Sequence, residues 1–552
     1  MSNPMYTKWQ IKLFAVLLIN SMLINFVYAQ DVLLTPSNHK KVWNTIKPGD
    51  RVIFADGEYR TEFYLNGGKP WSAMLPTIFM AKNSGKVVIK GSDIVKDWHR
   101  VDSGQYIKDW PTEPQQVFVS GKPLMQLGGS IFDGFPNNPL STYLKLHQEN
   151  GSIWPGRIKY EVGQKMPNDS FYYDQANKKL FIQTNLDIEK NKVEVSVRWR
   201  PFFAEQVSGI VLDGLVFEHS NASHWGRGAV VSIIGDDNTI RNVRVKYADD
   251  IGIGLVGNRN KLIDSEVTYS GRLGVGGRGE HNLIKGVTAS YNNTRGFNKW
   301  WEAGGFKFVG NGGLQDSEFI GNTAIGNNGD GIWFDWQNKN NLIRGNVAAY
   351  NTGFGIHYEL SQSGVIQDNY VYGNGQRGIY LRDSANCSVA HNMVVGNGLE
   401  GIVAVYTGQK DSNGIEFGAE NTKVNANIVG WNNGGALIMP KGASKIGEAN
   451  GNIYLGTQKS NKFSLGYPST LSPAVYSLGE WNKMTTLDAD SISTEMPIPK
   501  EISDSLTKQM VITNWSAIQN AVLNLSNKTG FSSKNNSLSK AQAVDAGPRK
   551  IK

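Results

Sequence analysis

A glycine followed by alternating apolar residues returns at a nearly fixed interval through the middle of the chain. The clearest copies begin at Gly331, Gly355, Gly378 and Gly401, which are 24, 23 and 23 residues apart. Earlier copies begin at Gly252, Gly274 and Gly305. A repeat of this length indicates a solenoid, in which each unit buries its apolar face against neighbouring copies. A chain of 552 residues is too long for one compact core, but a solenoid can reach this length.

Each copy of the repeat contains more than one short strand. A second apolar pair follows about ten residues after the first, as at Leu342-Ile343 and Val365-Ile366. Short alternating strands separated by turn residues predict three-strand coils of a right-handed parallel β-helix, an all-β fold with about 23 residues per coil. A leucine-rich repeat would need a leucine consensus that is absent here, and a propeller blade would need about 40 residues.

Asparagines recur at fixed places in the turns. One column contains Asn346, Asn369, Asn392 and Asn427, and a second contains Asn327, Asn351, Asn374, Asn397 and Asn432. We interpret them as turn residues that adopt left-handed backbone and bond their equivalents in a ladder, since asparagine tolerates that conformation.

The first 29 residues have the pattern of a secretory signal peptide. Lys8 and Lys12 precede an apolar run over residues 13–27, and Ala29 ends a stretch typical of a cleavage site. We expect a periplasmic or secreted protein with no stable membrane span after removal of the signal; the alternative is a membrane anchor.

The rest of the chain divides by the regularity of its repeat. Residues 30–205 are predicted to be an irregular β-rich N-terminal cap with the first coils, in which an opening coil near residues 46–59 precedes a long insertion. Residues 206–440 are the regular β-helix that carries the site, and residues 441–525 hold late coils, loops and a short helix. Residues 526–552 are polar and basic, which predicts a disordered tail.

The charge distribution argues against a polyanion-binding body. The net charge is +8; removing residues 1–29 leaves +6, of which +5 lies in residues 526–552. No basic and aromatic residues interleave as in nucleic-acid-binding proteins, so no nucleic-acid partner is expected. Cys387 is the single cysteine, which rules out an intramolecular disulfide, and its apolar surroundings predict a buried core residue.

Two columns of residues alternate with the apolar core positions and should therefore face outward on one side of the stacked coils. The first column is Gly254, Gly276, Lys307, Trp333, His357, Tyr380 and Val403. The second is Val256, Arg278, Val309, Asp335, Glu359, Arg382 and Val405. The glycines would leave room for a ligand beside a patch of charged and aromatic side chains.

Asp335 and Glu359 occupy equivalent positions in adjacent coils. Coils stack at roughly 4.8 Å, so the two carboxyl groups should lie about 5 Å apart, the separation of a retaining glycosidase. Carboxyl groups this close cannot both ionise freely, which supplies an acid beside an ionised nucleophile. Trp333 and Tyr380 would offer ring faces to a sugar, and Arg382 would help to keep Glu359 charged.

These residues resemble a known family. The segments Glu302-Ala-Gly-Gly-Phe-Lys307 and Gly331-Ile-Trp-Phe-Asp335-Trp, with Glu359 one coil later, resemble the core of glycoside hydrolase family 120, the β-helical β-xylosidases. The resemblance covers residues 300–359, and the family's extra β-rich insertion has no counterpart here. It implies a retaining hydrolase without a cofactor, in which Asp335 is the nucleophile, Glu359 the acid/base, and Glu302 and Lys307 contact the sugar.

Two other functions remain open at this stage. In a polysaccharide lyase or uronate epimerase, one of Lys307, His357, Tyr380 or Arg382 would remove a proton next to a carboxylate or neutralise that carboxylate. Asp335, Glu359 and Glu302 would then be candidates to hold Ca²⁺. In a non-catalytic carbohydrate-binding surface protein, the same patch would only bind an oligo- or polysaccharide. For the hydrolase, the candidate substrate-binding residues are Glu302, Lys307, Trp333, His357, Tyr380, Arg382 and Arg278. The sequence does not specify an oligomeric state.

Overall fold

The computed structural model describes residues 30–128, 160, 164–222, 228–310, 312–411, 413–441, 447–458, 460–469, 474–515, 518 and 520. The signal peptide predicted for residues 1–29 and the tail predicted for residues 526–552 lie outside the described residues. No helix among the described residues is long and apolar enough to cross a membrane.

Three long sheets of parallel strands run the length of the solenoid, and each full coil contributes one strand to each sheet. Sheet A consists of Asp31–Leu34, Arg51–Phe54, Thr77–Ala81, Ile210–Asp213, Thr239–Arg241, Lys261–Ile263, Leu283–Lys285, Glu318–Ile320, Leu342–Arg344, Val365–Gln367, Ser388–Ala390, Lys423–Asn425 and Glu448–Asn450. Sheet B consists of Gly57–Tyr59, Val87–Lys90, Val216–Glu218, Arg244–Lys246, Glu266–Thr268, Thr288–Ser290, Thr323–Ile325, Val347–Ala349, Tyr370–Tyr372, Met393–Val395, Ile428–Gly430, Ile453–Gly456 and Ile492–Glu495. Sheet C consists of Phe63–Asn66, Phe202–Glu205, Ala229–Ile234, Ile251–Val256, Leu273–Glu280, Gly304–Phe308, Asp330–Asp335, Ile356–Glu359, Ile379–Arg382, Glu400–Val405, Gly435–Met439 and Phe463–Leu465, with Leu314–Gln315 pairing alongside.

The interior of the coil is filled by alternate residues of each strand. In sheet C, Ile332, Phe334, Ile356 and Tyr358 are fully buried and belong to one continuous core cluster. Full burial of such a side chain contributes roughly 1.5–3 kcal/mol, so each coil is held mainly by the residues that it stacks on its neighbours. Cys387 is also buried in this cluster, as predicted, and burial raises the pKa of its thiol to about 12.

The asparagine columns form buried ladders, but the residues in left-handed backbone are different from those predicted. Asn369 donates from its amide nitrogen to Asn392 Oδ1 at 2.9 Å and accepts from the amide of Asn346 at 2.9 Å. The residue with positive φ is the one immediately before each ladder asparagine, such as Asp368 or His391. The reason is that the left-handed residue turns the chain, and the asparagine after it points its amide into the coil.

A long insertion interrupts the first coils. It forms a sheet of Lys122–Pro123, Val117–Val119, Val193–Ser196 and Ser92–Val95, and a second sheet of Met125–Leu127, Ser170–Asp174, Lys179–Gln183, Gln105–Asp109 and His99–Asp102. The chain then returns to sheet C at Phe202–Glu205, which pairs directly with Phe63–Asn66. Because these two strands pair across the insertion, the solenoid continues as though the insertion were absent.

The described helices are short and lie at the ends of the solenoid or beside it: His39–Trp43, Leu478–Thr485 and Lys500–Lys508. The last of them packs against the outside of sheet B, where Leu506 and buried Ile502 join a cluster with Tyr350 and Tyr372. The sequence predicts a short helix within residues 502–525, and most of Lys500–Lys508 lies in that range.

Candidate functional site

Sheet C aligns the two predicted columns residue by residue. Lys307 pairs with Trp333, Trp333 with His357, and His357 with Tyr380. In the second column, Asp335 pairs with Glu359, and Glu359 with Arg382. The alternate residues of these strands fill the interior core, so both columns lie on the outer face.

The sequence predicts that this outer face is open to solvent, but the structure covers most of it. Lys307, Trp333, His357, Glu359 and Tyr380 are all buried, with exposed fractions of 4–7%. The covering groups come from turns between coils and include Trp300 against Phe354, Gln409 bonded to Arg382, and Tyr467 bonded to Tyr380. Turns of unequal length fold back over sheet C, and no strand periodicity predicts this.

Asp335 keeps partial access to solvent beside a buried cation. Lys307 Nζ lies 2.9 Å from Asp335 Oδ2, and the side chain of Asp335 is 17% exposed. The same ammonium group is 3.2 Å from the centroid of the Trp333 ring and donates to the carbonyl oxygen of Trp301. These contacts fix Lys307 with its ammonium group against the Asp335 carboxyl group.

Glu359 is held by two donors on the same face, and His357 lies beside them. Arg382 lies 2.7 Å from Glu359 Oε1, Trp333 Nε1 donates to Oε2 at 3.1 Å, and His357 Nε2 is 3.5 Å from Oε2. Glu359 is therefore buried among polar partners, outside the apolar interior of the coil. Its partners differ from the single cation at Asp335, so the two carboxyl groups have distinct surroundings.

Asp330 is a member of this cluster that the sequence reasoning missed. Its Oδ2 lies 3.0 Å from His357 Nδ1, and its Oδ1 accepts the backbone N–H of Phe354 at 2.8 Å. This contact orients the imidazole ring so that Nε2 lies toward Glu359, where Nε2 has no hydrogen-bond partner among the described residues. The available signal was an acid directly before the repeat glycine Gly331.

The aromatic residues of the first column stack on one another. The ring centroids of Trp333 and His357 are 4.9 Å apart at 16°, and those of His357 and Tyr380 are 4.9 Å apart at 21°. Lys307 covers the other side of Trp333, and Phe354 packs against Tyr380. The prediction that Trp333 and Tyr380 present ring faces to a sugar is therefore wrong; the stack instead supports the carboxyl groups beside it.

A cavity of about 360 Å³ opens on sheet C next to this cluster. Gly254 and Gly276 leave it empty of side chains, whereas the next three coils carry Lys307, Trp333 and His357 in the same column. The charged groups of its lining are Arg200, Arg272, Arg278, Glu302 and Lys307. The predicted residues Arg278, Glu302 and Lys307 therefore share one cavity, which ends where Lys307 contacts Asp335.

Glu302 is fixed in the cavity wall by a buried arginine. Arg272 bonds to Glu302 and also lies 2.5 Å from Asp250, so that one guanidinium serves two carboxyl groups. Burial raises the pKa of Asp250 to about 6 against the pull of Arg272, and the charge of Glu302 adds to the rise. Asp250 and Arg272 were not anticipated, since nothing in the repeat marks them.

The carboxyl groups proposed for Ca²⁺ do not converge. Glu302 is bonded to Arg272, Asp335 to Lys307, and Glu359 to Arg382. In the part of the chain that the structure describes, no group of three or more His, Cys, Asp or Glu residues could hold a metal ion.

Comparison with family models matches residues 229–394 to the right handed β-helix region family. Comparison with curated proteins gives no match. Among solved structures, the complex of XylC with xylose is 13% identical, with a TM-score of 0.56 over 85% of this chain and 87% of that chain.

Two further similar structures are a lyase and an epimerase by name. The PL6 family alginate lyase AlyGC is 13% identical, with a TM-score of 0.42 over 78% of this chain and 49% of that chain. The A-module of the Azotobacter vinelandii mannuronan C-5 epimerase AlgE4 is 13% identical, with a TM-score of 0.41 over 78% and 92%. The family match and the XylC likeness confirm the right-handed parallel β-helix fold, and the chemistry must be argued from the site.

Proposed function

We propose that this protein is an exported carbohydrate-active enzyme, a retaining glycoside hydrolase acting on an oligo- or polysaccharide. The observation that carries the proposal is the pairing of Asp335 with Glu359 on adjacent rungs of the outer face. Rung spacing sets the two carboxyl groups near the roughly 5 Å separation that retention requires. The resemblance of residues 300–359 to glycoside hydrolase family 120 supports the same assignment.

Asp335 has the surroundings of a nucleophile. Lys307 lies 2.9 Å from its carboxyl group, and the partial exposure of Asp335 lets it approach a sugar bound in the adjoining cavity. The carboxylate attacks the anomeric carbon and forms a glycosyl ester as the bond to the leaving oxygen breaks. Glu302, which Arg272 holds in the wall, and Lys307 are placed to bond the sugar hydroxyls.

Glu359 has the surroundings of an acid that becomes a base. In the first step it gives its proton to the leaving oxygen, and Arg382 at 2.7 Å stabilises the carboxylate that forms. In the second step the carboxylate takes a proton from the water that attacks the glycosyl ester, which restores Asp335 and Glu359. His357, oriented by Asp330, faces Glu359 and exchanges a proton with it.

The test begins with a panel of glycans read by product mass. We expect hydrolysis to add one water to the products, and we expect Asp335→Asn and Glu359→Gln to abolish or reduce it, the latter by roughly 10²–10⁴-fold. Glu318→Gln, which removes an exposed acid from sheet A, is the matched control. Hydrolysis retained by both variants would contradict these two roles, and binding without hydrolysis by the unmodified protein would favour a protein that only binds carbohydrate.

Azide separates the two roles. Asp335→Ala with azide should give a glycosyl azide of inverted configuration, because azide attacks in place of the missing nucleophile. Glu359→Ala with azide should give retained configuration, because azide attacks the covalent intermediate from the opposite face. The same configuration from both variants, seen by NMR, would contradict the assignment.

One observation favours a second candidate, a polysaccharide lyase or uronate epimerase. The cavity is lined by four cations against Glu302 alone, and such a lining suits an acidic sugar. Elimination or epimerisation would need a base, and two of the candidate groups are unsuited to that role. Lys307 is paired with Asp335, and burial raises the pKa of Tyr380 well above its usual range. Unsaturated products, detected by their ultraviolet absorbance, would establish elimination and replace the hydrolase proposal.

A further inference from the structure

The cavity on sheet C is made by missing side chains. A Cβ atom at Gly276 would lie 3.0 Å from Leu273 and one at Gly254 would lie 3.1 Å from Ala229, so even alanine would crowd this floor. The volume of about 360 Å³ is in the range of small-molecule sites. The floor is therefore suited to a bound group and leaves little space for protein side chains.

Most of the charge on the cavity wall is already neutralised within the protein. Arg272 is bonded to Asp250 and Glu302, and Lys307 is paired with Asp335. Arg200 lies with its guanidinium carbon 4.1 Å from the centroid of the Trp199 ring, a position that holds its plane in place. These groups shape the wall and leave the remaining cation, Arg278, to decide the preference for charge.

Arg278 stands apart from the other cations of the cavity. Within the described residues, no carboxylate lies within salt-bridge distance of its guanidinium, although Glu280 follows on the same strand. Its neighbours in the column are Val256 and Val309, which offer no hydrogen-bond partner from their side chains. A partly buried guanidinium with five donors and no partner favours an incoming anion.

Arg278 also lies where two cavities meet. A second cavity of about 220 Å³ is lined by Val256 and Arg278, which it shares with the first, and by Asn258, Glu280 and Gln315. Lys307 lines the first cavity and not the second, so the second lies on the side away from Lys307. A chain of sugar residues that extends from the first cavity into the second would pass Arg278.

We infer that Arg278 binds an anionic substituent of the glycan, a uronate carboxylate or a sulfate ester, at the junction of these two cavities. That the ligand is a glycan rests on the proposed function. A carboxylate and a sulfate each present two oxygens to the guanidinium fork, which is the shared chemistry that Arg278 would recognise.

The experiment compares matched sugars with the mature protein by saturation-transfer NMR and calorimetry. The sets are glucose, glucuronate and glucose 6-sulfate, and galactose, galacturonate and galactose 6-sulfate. We expect an anionic member to bind about 10- to 100-fold more tightly than its neutral partner, which is the effect of one charge-assisted bond. Whether the carboxylate or the sulfate binds identifies the substituent.

Three variants locate the preference. Arg278→Gln should remove it while leaving the neutral sugar's affinity unchanged, and Arg278→Lys should retain part of it because the charge remains without the fork. Arg241→Gln, which removes an equal charge from sheet A, should change nothing. In the unmodified protein, added salt should weaken binding of the anionic sugar more than that of the neutral one.

Equal binding of neutral and anionic sugars, a preference that survives Arg278→Gln, or binding of no anionic sugar would each overturn the inference. Hydrolysis measured on the same proteins keeps the two proposals separate. If Asp335→Asn abolishes cleavage of neutral glycans and the preference for anionic sugars survives Arg278→Gln, the hydrolase proposal stands and the anion site is refuted. If Arg278→Gln removes anion binding but no hydrolysis is found, the site stands and the hydrolase proposal fails.

Discussion

At the scale of single residues, the main feature is that one buried histidine links two acids. His357 lies between Asp330 at 3.0 Å and Glu359 at 3.5 Å, and all three have exposed fractions of 6% or less. Asp330 does not line the cavity, so in the proposed mechanism its role would be to position His357. The sequence predicted the neighbours of His357 in its column, but it did not indicate which acids the imidazole contacts.

Replacing Asp330 with asparagine tests this link. Asp330→Asn should lower kcat roughly 10- to 100-fold with little change in KM, because Glu359 loses an oriented proton partner and substrate contacts stay intact. The pH profile of kcat/KM should also shift, which a purely structural role would not produce. Asp316→Asn, a turn residue bonded to Asn340, is the control. An unchanged profile in Asp330→Asn would contradict the role.

At the scale of the coil, the asparagine ladders carry the turns from one rung to the next. Asn369 donates to Asn392 and to the Ile343 carbonyl oxygen, and it accepts from the backbone and side chain of Asn346. It is fully buried, so each of these groups would lack a water partner if the amide were removed. The ladders are therefore structural and take no part in the site.

Asn369→Ala should destabilise the solenoid by roughly 3 kcal/mol. The substitution leaves at least two buried donors without an acceptor, and each unsatisfied donor costs about 1–3 kcal/mol. Asn433→Ala removes an exposed asparagine next to the ladder residue Asn432 and should cost far less. Chemical denaturation followed by circular dichroism measures both. Equal losses in the two variants would show that the ladder contributes nothing beyond the turn itself.

At the scale of the whole molecule, the insertion docks on the solenoid through buried ionisable groups. Glu194 of the insertion lies 2.7 Å from Arg60 and 3.2 Å from Lys90. Burial raises the pKa of Glu194, but Arg60 and Lys90 outweigh this effect and lower the pKa to about 2. Burial lowers the pKa of His219, which bonds to Ser92, to about 3.

Both shifts predict a fold that weakens in acid. Neutral His219 stabilises the fold above its usual pKa of 6.5, and this contribution is lost as pH falls from there toward about 3. Ionised Glu194 stabilises it above 4.5, and this contribution is lost between there and about 2. The midpoint temperature of thermal unfolding should therefore fall as the pH is lowered. His219→Gln should flatten the upper part of the curve and His99→Gln, which replaces an exposed histidine, should not.

The repeat alone predicted a large part of this molecule because strand alternation has a period of two. Once the copies beginning at Gly331 and Gly355 are aligned, Asp335 must meet Glu359, and it does. The same alignment located the glycine floor at Gly254 and Gly276. These features depend only on spacing within the repeat, so a single sequence contains them.

The sequence by itself therefore determined the β-helix, the register of its rungs and the columns that share its outer face. Only the tertiary structure decided what covers that face and which charges pair: Asp330 with His357, Arg272 with both Asp250 and Glu302, and, among the residues that the structure describes, no acid with Arg278. The physical reason is that register follows from local periodicity, whereas pairing and burial depend on how turns of unequal length fold back across several rungs.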